Sequence, residues 1–314
     1  MTRPQDVKDL QLVEDGKVAV RPAFGVSLFT AKSFYEIPDA VLACQDLFLK
    51  LCPQGQVKYY LTETMDQHAK VTERTFTMLP TWLRKGAPKR EQIFLELKSG
   101  DDREEAPEFR LEVSSNEDGS IGFESEFANS VHFTLPVAWG TEHADKMRDF
   151  LIHLAGFFPY SFGYTGFALE WSPYFEEEAC THAYAKGMRH PGFDIYDNAN
   201  FEEIVGHDSL AGVGWLTLLG PELIGQLGGR HKIRSALAET THIRDAGHGL
   251  MVSLGDAPEI GDTNRRDLLP AYRELYALLS PIAEVGIERS SAFEFHPGDV
   301  YENTLRWLRR FKTA

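Results

Sequence analysis

Two hydrophobic periodicities alternate along the chain. Stretches rich in β-branched and aromatic residues predict strands, and longer stretches whose apolar residues recur every three or four positions predict helices. The predicted strands are residues 23–30, 57–63, 93–99, 109–115, 122–127, 131–139, 160–171 and 210–220, with a strand or strand pair over 242–256. The predicted helices are residues 37–53, 141–159, 172–190, 221–239 and 268–282. This order contains three β-α-β passages with further strands inserted.

The element order predicts an α+β fold, in which repeated β-α-β units pack their helices on mixed, largely antiparallel sheets. It also favours an internal duplication, with halves at about 21–130 and 131–285. We expect one domain over residues 21–285, preceded by an N-terminal extension at 1–20. A C-terminal segment, residues 286–314, ends in a basic amphipathic helix.

Two of the predicted strands, 93–99 and 109–115, show strict alternation of polar and apolar residues. In the first of them, Glu96 and Lys98 alternate with Leu95 and Leu97. Successive side chains of a strand point to opposite faces of the sheet. The pattern therefore predicts one apolar face and one face in water.

Composition and charge narrow the classes of partner. The chain has 314 residues, of which 43% are hydrophobic, so it is long and apolar enough to bury a core. It carries 32 basic and 47 acidic residues, and the net charge of −15 disfavours binding to nucleic acid or to an anionic membrane. No stretch approaches the roughly 20 apolar residues of a membrane helix. The N-terminus has no apolar segment typical of a secretion signal, so we expect a cytoplasmic protein.

Negative charge is concentrated in residues 101–126, which contain ten acids against Arg103 and Arg110. The net charge of this segment is −8, more than half of the total of −15. A second acidic run, Glu176 to Glu178, begins a predicted helix. A solvated loop and strand face explain this pattern, and so does a surface that binds a basic partner.

The glycine-rich stretch 214–229 predicts turns and close packing rather than a phosphate site. Pro221 and Glu222 begin a helix there, and a carboxylate in the first turn opposes anion binding at the positive helix end. The P-loop, GxSxG and HExxH motifs are absent from the sequence. We therefore predict no catalytic residue, no metal site and no cofactor.

Two weaker patterns leave an enzymatic alternative open. His182, His190 and His207 lie near Asp194 and Asp208 in the sequence, although their spacings match no metal-site template. Glu96-Leu97-Lys98 has the acid-x-lysine spacing of metal-dependent nucleases of the restriction type. Alternating charges are, however, also typical of an exposed strand. Either pattern would make the chain a metal-dependent hydrolase.

Three stretches combine turn glycines with a polar cluster: FPYSFGYTGFAL at 158–169, GWLTLLGPELIGQLGG at 214–229, and the segment 249–282 that contains GDTNRRDLLPAY. Together they resemble a bacterial family of type VI secretion immunity proteins. The likeness extends over roughly residues 20–285. The motif positions that carry it are Trp215, Gly220, Gly261, Asp262, Asn264, Arg265 and Asp267.

The resemblance implies that the chain neutralises a toxin that sister cells deliver. Members of this family are similar to partners of nuclease toxins of the restriction fold. Such a toxin acts in the cytoplasm and needs a basic groove for DNA, which an acidic inhibitor can occupy. The resemblance thus gives the net charge of −15 a physical reason. An adaptor of the secretion apparatus and a metal-dependent hydrolase remain the alternatives.

We expect the acidic segments to contact the toxin and the motif residues to serve the fold. The toxin-binding candidates are Asp101, Asp102, Glu104, Glu105, Glu176, Glu177 and Glu178. In the motif, Asp262 and Asn264 favour a turn, and Asp267 is placed to cap a helix that begins at Leu268.

Overall fold

The computed structural model describes residue 7, residues 10–116, 128–196 and 212–283, residue 293 and residues 296–312. In this part of the chain, twelve strands form one sheet. The strands are β1 (Leu12–Glu14), β2 (Lys17–Thr30), β3 (Val57–Thr62), β4 (Ala69–Lys70), β5 (Gln92–Ser99), β6 (Arg110–Asn116), β7 (Asn129–Pro136), β8 (Phe162–Trp171), β9 (Asp194–Tyr196), β10 (Leu216–Leu219), β11 (Thr241–Ala246) and β12 (Gly249–Leu254).

Helices pack around this sheet. They are α1 (Pro38–Leu51), α2 (Met78–Trp82), α3 (Ala138–Thr141), α4 (Ala144–Phe157), α5 (Glu176–Arg189), α6 (Pro221–Gln226), α7 (Arg230–Ala236), α8 (Pro270–Ala283) and α9 (Val300–Leu308). The predicted α+β class is confirmed. Residues 12–20, which we assigned to an N-terminal extension, form β1 and the first part of β2. The division into three segments and the internal duplication remain predictions.

The sheet has the strand order β11-β12-β10-β8-β2-β7-β6-β5-β3-β4, with β1 paired to β2 and β9 paired to β8. The strand pairs are antiparallel except β8 and β9, which are parallel. The central position of β2 suits its sequence, because residues 22–30 are buried throughout. A strand with neighbours on both edges and no solvent contact is expected to be predominantly apolar.

Helices α1 and α4 cover part of the apolar side of the sheet. Pro38 begins α1, where its missing N–H group is not needed, and α1 contacts β6 and β7. The ring of Phe150 in α4 meets the ring of Phe133 in β7 edge to face, with centroids 5.8 Å apart. Such aromatic contacts add to the hydrophobic effect that holds helix and sheet together.

Two predicted elements differ from the structure. The predicted helix 221–239 is two helices, α6 and α7, because Gly228 and Gly229 have φ angles of +85° and +92°, which end a right-handed helix. The predicted strand 131–139 ends at Pro136, and α3 follows. The predicted strand 122–127 and the start of the predicted strand 210–220 lie outside the described residues.

The C-terminal helix closes the fold through a buried arginine. Trp307 and Phe311 are almost fully buried, and the guanidinium of Arg310 lies 4.2 Å and 4.7 Å from their ring centroids. Arg310 also lies 3.8 Å from a carboxylate oxygen of Asp194 and donates to the carbonyl of Pro191 at 2.9 Å. This basic end of the chain therefore serves internal packing and charge pairing.

The backbone at Gly220 passes close to the segment that precedes β8. Its N–H donates to the carbonyl of Ser161 at 2.8 Å, and a Cβ at this position would lie 2.5 Å from that oxygen. A side chain larger than hydrogen therefore requires the backbone to move. Gly220 thus lies where the backbone of the preceding segment leaves no room for a side chain.

We predict that Gly220→Ala lowers the free energy of unfolding by about 1–3 kcal/mol, because the added methyl group overpacks the backbone of Ser161. Gly225→Ala is the matched control, because a Cβ there meets no atom within 4 Å. In the interior of α6, alanine should stabilise by about 1 kcal/mol. Urea unfolding of both variants gives the two values, and equal effects of the two substitutions would contradict the close approach at Gly220.

Candidate functional site

One face of the sheet carries charged side chains that are buried. Glu96 and Lys98 of β5 lie opposite Glu112 and Arg110 of β6, and Glu170 of β8 completes the group. The exposed fraction of each of the five residues is 3% or less. The prediction that this strand face lies in water is therefore wrong. The alternation was read correctly, but the polar face is enclosed by other parts of the chain.

Arg110 is the centre of this buried charge cluster, which we define as Glu96, Lys98, Arg110, Glu112 and Glu170. Its Nη1 lies 3.4 Å from Glu112 and 3.8 Å from Glu96, and its Nε lies 3.3 Å from Glu170. Three carboxylates thus surround one guanidinium. Burying charges costs solvation, and close pairing with hydrogen bonds offsets that cost.

Thr134 and His132 on β7 complete the polar face. The hydroxyl of Thr134 donates to Glu170 at 2.6 Å. Burial, together with the positive charge of Arg110, lowers the pKa of His132 to about 3, so its imidazole is neutral at physiological pH. Burial also raises the pKa of Glu170 in spite of Arg110 and Thr134.

His68 connects the buried charge cluster to the segment before α5. Its Nε2 lies 2.7 Å from a carboxylate oxygen of Glu96, and its Nδ1 lies 3.1 Å from the hydroxyl of Tyr174. The backbone N–H of His68 donates to the same hydroxyl at 3.2 Å. Tyr174 lies two residues before Glu176, the first residue of α5. A continuous polar path therefore leads from Arg110 to the acidic start of this helix.

Glu96 is held in its charged form by these neighbours. Burial alone raises the pKa of Glu96, but the hydrogen bond and charge of His68, with the charges of Arg110 and Lys98, outweigh burial. The pKa falls from 4.5 to about 2. A carboxylate that is charged at every physiological pH keeps its partners in place.

Lys98 connects the same cluster to the acidic loop, residues 101–106. Its ammonium donates to the backbone carbonyl of Arg103 at 2.7 Å and to that of Glu105 at 3.0 Å. Burial lowers the pKa of this lysine, although Glu96 and Glu170 act in the opposite direction. The lysine of the Glu-x-Lys pattern therefore holds a loop in place and is enclosed with its acid.

The acidic loop carries four of the predicted toxin-binding residues. Asp101 is 95% exposed, and its carboxylate accepts from the ammonium of Lys58 at 2.7 Å. Asp102 and Glu104 both pair with Lys17. The Glu105 side chain is partly exposed. Two lysines thus offset part of the loop's charge, and their pairs with the acids stay accessible to a partner.

The second acidic run forms the first turn of α5, where Glu176, Glu177 and Glu178 are all exposed. Carboxylates at this position also stabilise the positive end of the helix. The hydroxyl of Ser172, four residues before the helix, donates to the carbonyl of Glu104. The acidic loop therefore contacts the segment that leads into α5, although the two acidic runs are about 70 residues apart in the sequence.

A groove of about 280 Å³ opens beside the acidic loop. Arg21 lies in its lining and donates from Nε to the carbonyl of Ala106 at 3.2 Å. Glu108 and Val137 contribute a second charge and part of an apolar wall. A groove that mixes apolar and charged groups can receive a side chain of a protein partner at the edge of a charged contact.

Trp215 and Gly261 of the motif make contacts inside the fold. Trp215 is fully buried, donates from Nε1 to the carbonyl of Gly255 at 3.2 Å, and lies under the guanidinium of Arg148. Gly261 has a φ angle of +66°, and its carbonyl accepts from His190 at 2.7 Å. Both positions depend on residue types that few substitutions can replace.

The polar part of the motif forms a turn around Asp262. Its carboxylate accepts the N–H of Asn264 at 3.0 Å and pairs with Arg189 at 3.1 Å and with Arg265 at 3.7 Å. The predicted capping role of Asp267 is wrong, because α8 begins at Pro270. The backbone of Asp267 instead bonds to that of Asp262 in both directions.

The histidine alternative finds no support in the described residues. His182 bonds to the carbonyl of Leu10 at 2.8 Å, and His190 bonds to that of Gly261. Asp194 pairs with Arg310. His207 and Asp208 lie outside the described residues. Over the part of the chain that the structure describes, no three His, Cys, Asp or Glu side chains are grouped so that they could hold a metal ion.

The sequence interpretation missed the buried charge cluster and His68. Alternating acids and bases on one face of both 93–99 and 109–115 were a usable signal, because pairing of the two strands brings them to the same face. The register sets like charges directly opposite each other, Glu96 with Glu112 and Lys98 with Arg110, so the contact of Arg110 with Glu96 is diagonal. No sequence signal identified His68, which reaches Glu96 only through tertiary folding.

No helix among the described residues has both the length and the apolar content needed to cross a bilayer.

One family model matches most of the chain. The model of the family described as "TsiV: Type VI immunity for VRR-NUC" matches residues 40–311. Among solved structures, the chain is similar to the "Pseudomonas aeruginosa T6SS protein PA0821", with a TM-score of 0.78 and 19% sequence identity. That similarity covers 97% of this chain and 88% of the other, and at this identity it shows the fold. No curated protein sequence matches at a significant level.

We predict that Glu96 contributes acid-sensitive stability. Its pKa in the folded state, about 2, lies below the ordinary value of 4.5, so the contribution is complete above pH 4.5 and disappears as the pH falls towards 2. Over this interval the wild-type protein should lose on the order of 3 kcal/mol more than Glu96→Gln. Urea unfolding between pH 2 and 6 measures both, with Glu178→Gln as the exposed control. Parallel profiles for wild type and Glu96→Gln would contradict the pairing with His68.

Proposed function

Because this chain belongs to the TsiV family of type VI immunity proteins for VRR-NUC, we propose that it protects its cell by binding one nuclease effector in a stoichiometric inhibitory complex. Binding, rather than chemistry, is the proposed mode of action. The family is an immunity family, and the acid-x-lysine pattern of Glu96 and Lys98 is buried in a network of internal contacts. We propose that the complex forms in the cytoplasm, where a nuclease meets DNA.

The observation that carries the proposal is the joined acidic surface, which we define as Asp101, Asp102, Glu104, Glu105, Glu176, Glu177 and Glu178. The contact of Ser172 with Glu104 supports treating the two runs as one surface. A nuclease must present positive charge to DNA, because phosphate contacts dominate affinity for nucleic acid. A surface with several accessible carboxylates is complementary to such a groove.

Electrostatic complementarity acts mainly on the rate of capture. Long-range attraction between oppositely charged surfaces speeds association, and salt weakens it over a screening length of about 8 Å at physiological ionic strength. The net charge of −15 adds to this attraction. Fast capture suits an inhibitor that must act before a nuclease cuts DNA.

We predict that co-expression of this chain restores growth of cells that produce its cognate VRR-NUC effector. The effector can be recovered by pull-down with the tagged chain from the cells that encode it, and the mass of the purified complex gives the stoichiometry. In vitro, DNA cleavage should fall linearly as the chain is added and reach zero at a fixed ratio, as expected for tight binding. Cleavage that persists at a large excess of the chain would contradict inhibition by binding.

We further predict that reversing charge on the acidic surface slows capture. Asp101→Lys with Glu105→Lys should lower the association rate by about tenfold at low salt, and Glu176→Gln, Glu177→Gln and Glu178→Gln together should lower it by a smaller factor. The difference from the wild type should shrink as salt increases. Stopped-flow mixing with the recovered effector measures these rates.

The matched control for the double variant Asp101→Lys with Glu105→Lys is the double variant Glu222→Lys with Glu239→Lys. Both residues are exposed. Glu222 lies in the first turn of α6, and Glu239 lies two residues before β11, which is an edge strand at the other end of the sheet. The change in net charge is identical, so only the position of the charge differs. Equal slowing by both pairs would show that net charge, and not this surface, directs capture.

A further inference from the structure

Lys98 carries a positive charge in the interior of the protein and donates hydrogen bonds to the acidic loop. Its side chain is almost fully buried, with 1% of the residue exposed, yet its two hydrogen bonds go to backbone carbonyls of the acidic loop, those of Arg103 and Glu105. Burying an ammonium group is costly. The charges of Glu96 and Glu170 offset part of this cost, and the two loop carbonyls supply the hydrogen bonds that a buried ammonium requires.

Several individual contacts hold the acidic loop in its shape. Besides the bonds of Lys98, Tyr59 donates to the carbonyl of Asp101, and Arg21 donates to that of Ala106. Residues 101–106 form neither helix nor strand. The N–H of Ala106 donates to the carbonyl of Val18 at 2.7 Å, and the carbonyl of Glu104 accepts from Ser172. Lys98 therefore supplies two of the bonds that hold the middle of this loop from inside the molecule, while Asp101 and Asp102 face outwards.

We propose that Lys98 is a positioning residue for the toxin-binding surface: its ammonium holds the backbone of residues 103–105 so that the loop presents its carboxylates in one arrangement. This inference rests on the proposed function and names the residue that prepares the surface for it. A surface that is already ordered loses less conformational entropy when it meets a rigid basic partner.

The same arrangement links the loop to the buried charge cluster. Lys98 is followed along β5 by Ser99, whose hydroxyl accepts the N–H groups of Glu108 and Phe109 at 3.1 Å and 2.9 Å. Glu96, two residues earlier on the same face, bonds to His68 and through it reaches Tyr174. Strand β5 therefore contacts the acidic loop through Lys98 and, through Glu96 and His68, the segment that precedes α5.

The first test needs no partner. Hydrogen exchange of the free protein should show amides 104–106 exchanging about tenfold faster in Lys98→Met than in the wild type, while those of α1 are unchanged. Lys58→Met is the matched control, because Lys58 bonds to the side chain of Asp101 and to no loop carbonyl. It should leave these amides as they are. Equal exchange in Lys98→Met and wild type would overturn the proposal.

A second measurement covers the case in which Lys98→Met does not fold. In the wild-type protein, NMR of lysine ammonium groups should show slow proton exchange at Lys98 and fast exchange at Lys58, which is partly exposed. Loss of one signal in Lys98→Arg assigns it. Fast exchange at Lys98 would overturn the proposal, because an ammonium held by two carbonyls is protected from water.

The functional test compares association rates with the recovered effector. Lys98→Met should slow association by about threefold or more, and Lys98→Arg, which keeps the charge and the donors, should restore most of the rate. If the acid reversals slow association but Lys98→Met does not, the inference fails and the proposed surface stands. If Lys98→Met loosens the loop but the acid reversals leave the rate unchanged, the proposed surface fails and with it the role of Lys98 in capture.

Discussion

Arg110 lies among three buried carboxylates, and the polar face of the sheet is organised around its guanidinium. Removing one partner of a buried ion pair typically costs about 3–5 kcal/mol, because the remaining charge is left without compensation. Arg110 offsets charge on Glu96, Glu112 and Glu170, while His68 also acts on Glu96 and Thr134 on Glu170.

Two branches lead outwards from this centre. Glu96 bonds to His68, which holds Tyr174 just before α5, and Lys98 bonds to the carbonyls of the acidic loop. Both branches end beneath acidic side chains. A protein that captures its partner by charge gains from such support, because charged side chains on a mobile loop would have to be ordered at the moment of binding.

Part of the candidate site was predictable and part was not. The acidic runs are contiguous in the sequence, so composition alone identified Asp101 to Glu105 and Glu176 to Glu178. The contact between the acidic loop and the segment before α5 was not predictable, because the path of the chain decides that Ser172 meets the carbonyl of Glu104. Asp267 was predicted to cap a helix, but it pairs with Asp262 in a turn. Aspartate favours both arrangements, so the residue type alone could not distinguish them.

The sequence by itself determined the α+β class, most strands and helices, the turn glycines and the net charge of −15, because periodicity, backbone freedom and charge are properties of short stretches. Only the tertiary structure decided the fate of the polar strand face. Alternation states which residues share a face, but whether water or another segment covers that face depends on contacts between distant residues. For Glu96 and Lys98 the cover is His68, Tyr174 and the acidic loop, and burial changed an apparent solvent face into the support of a surface.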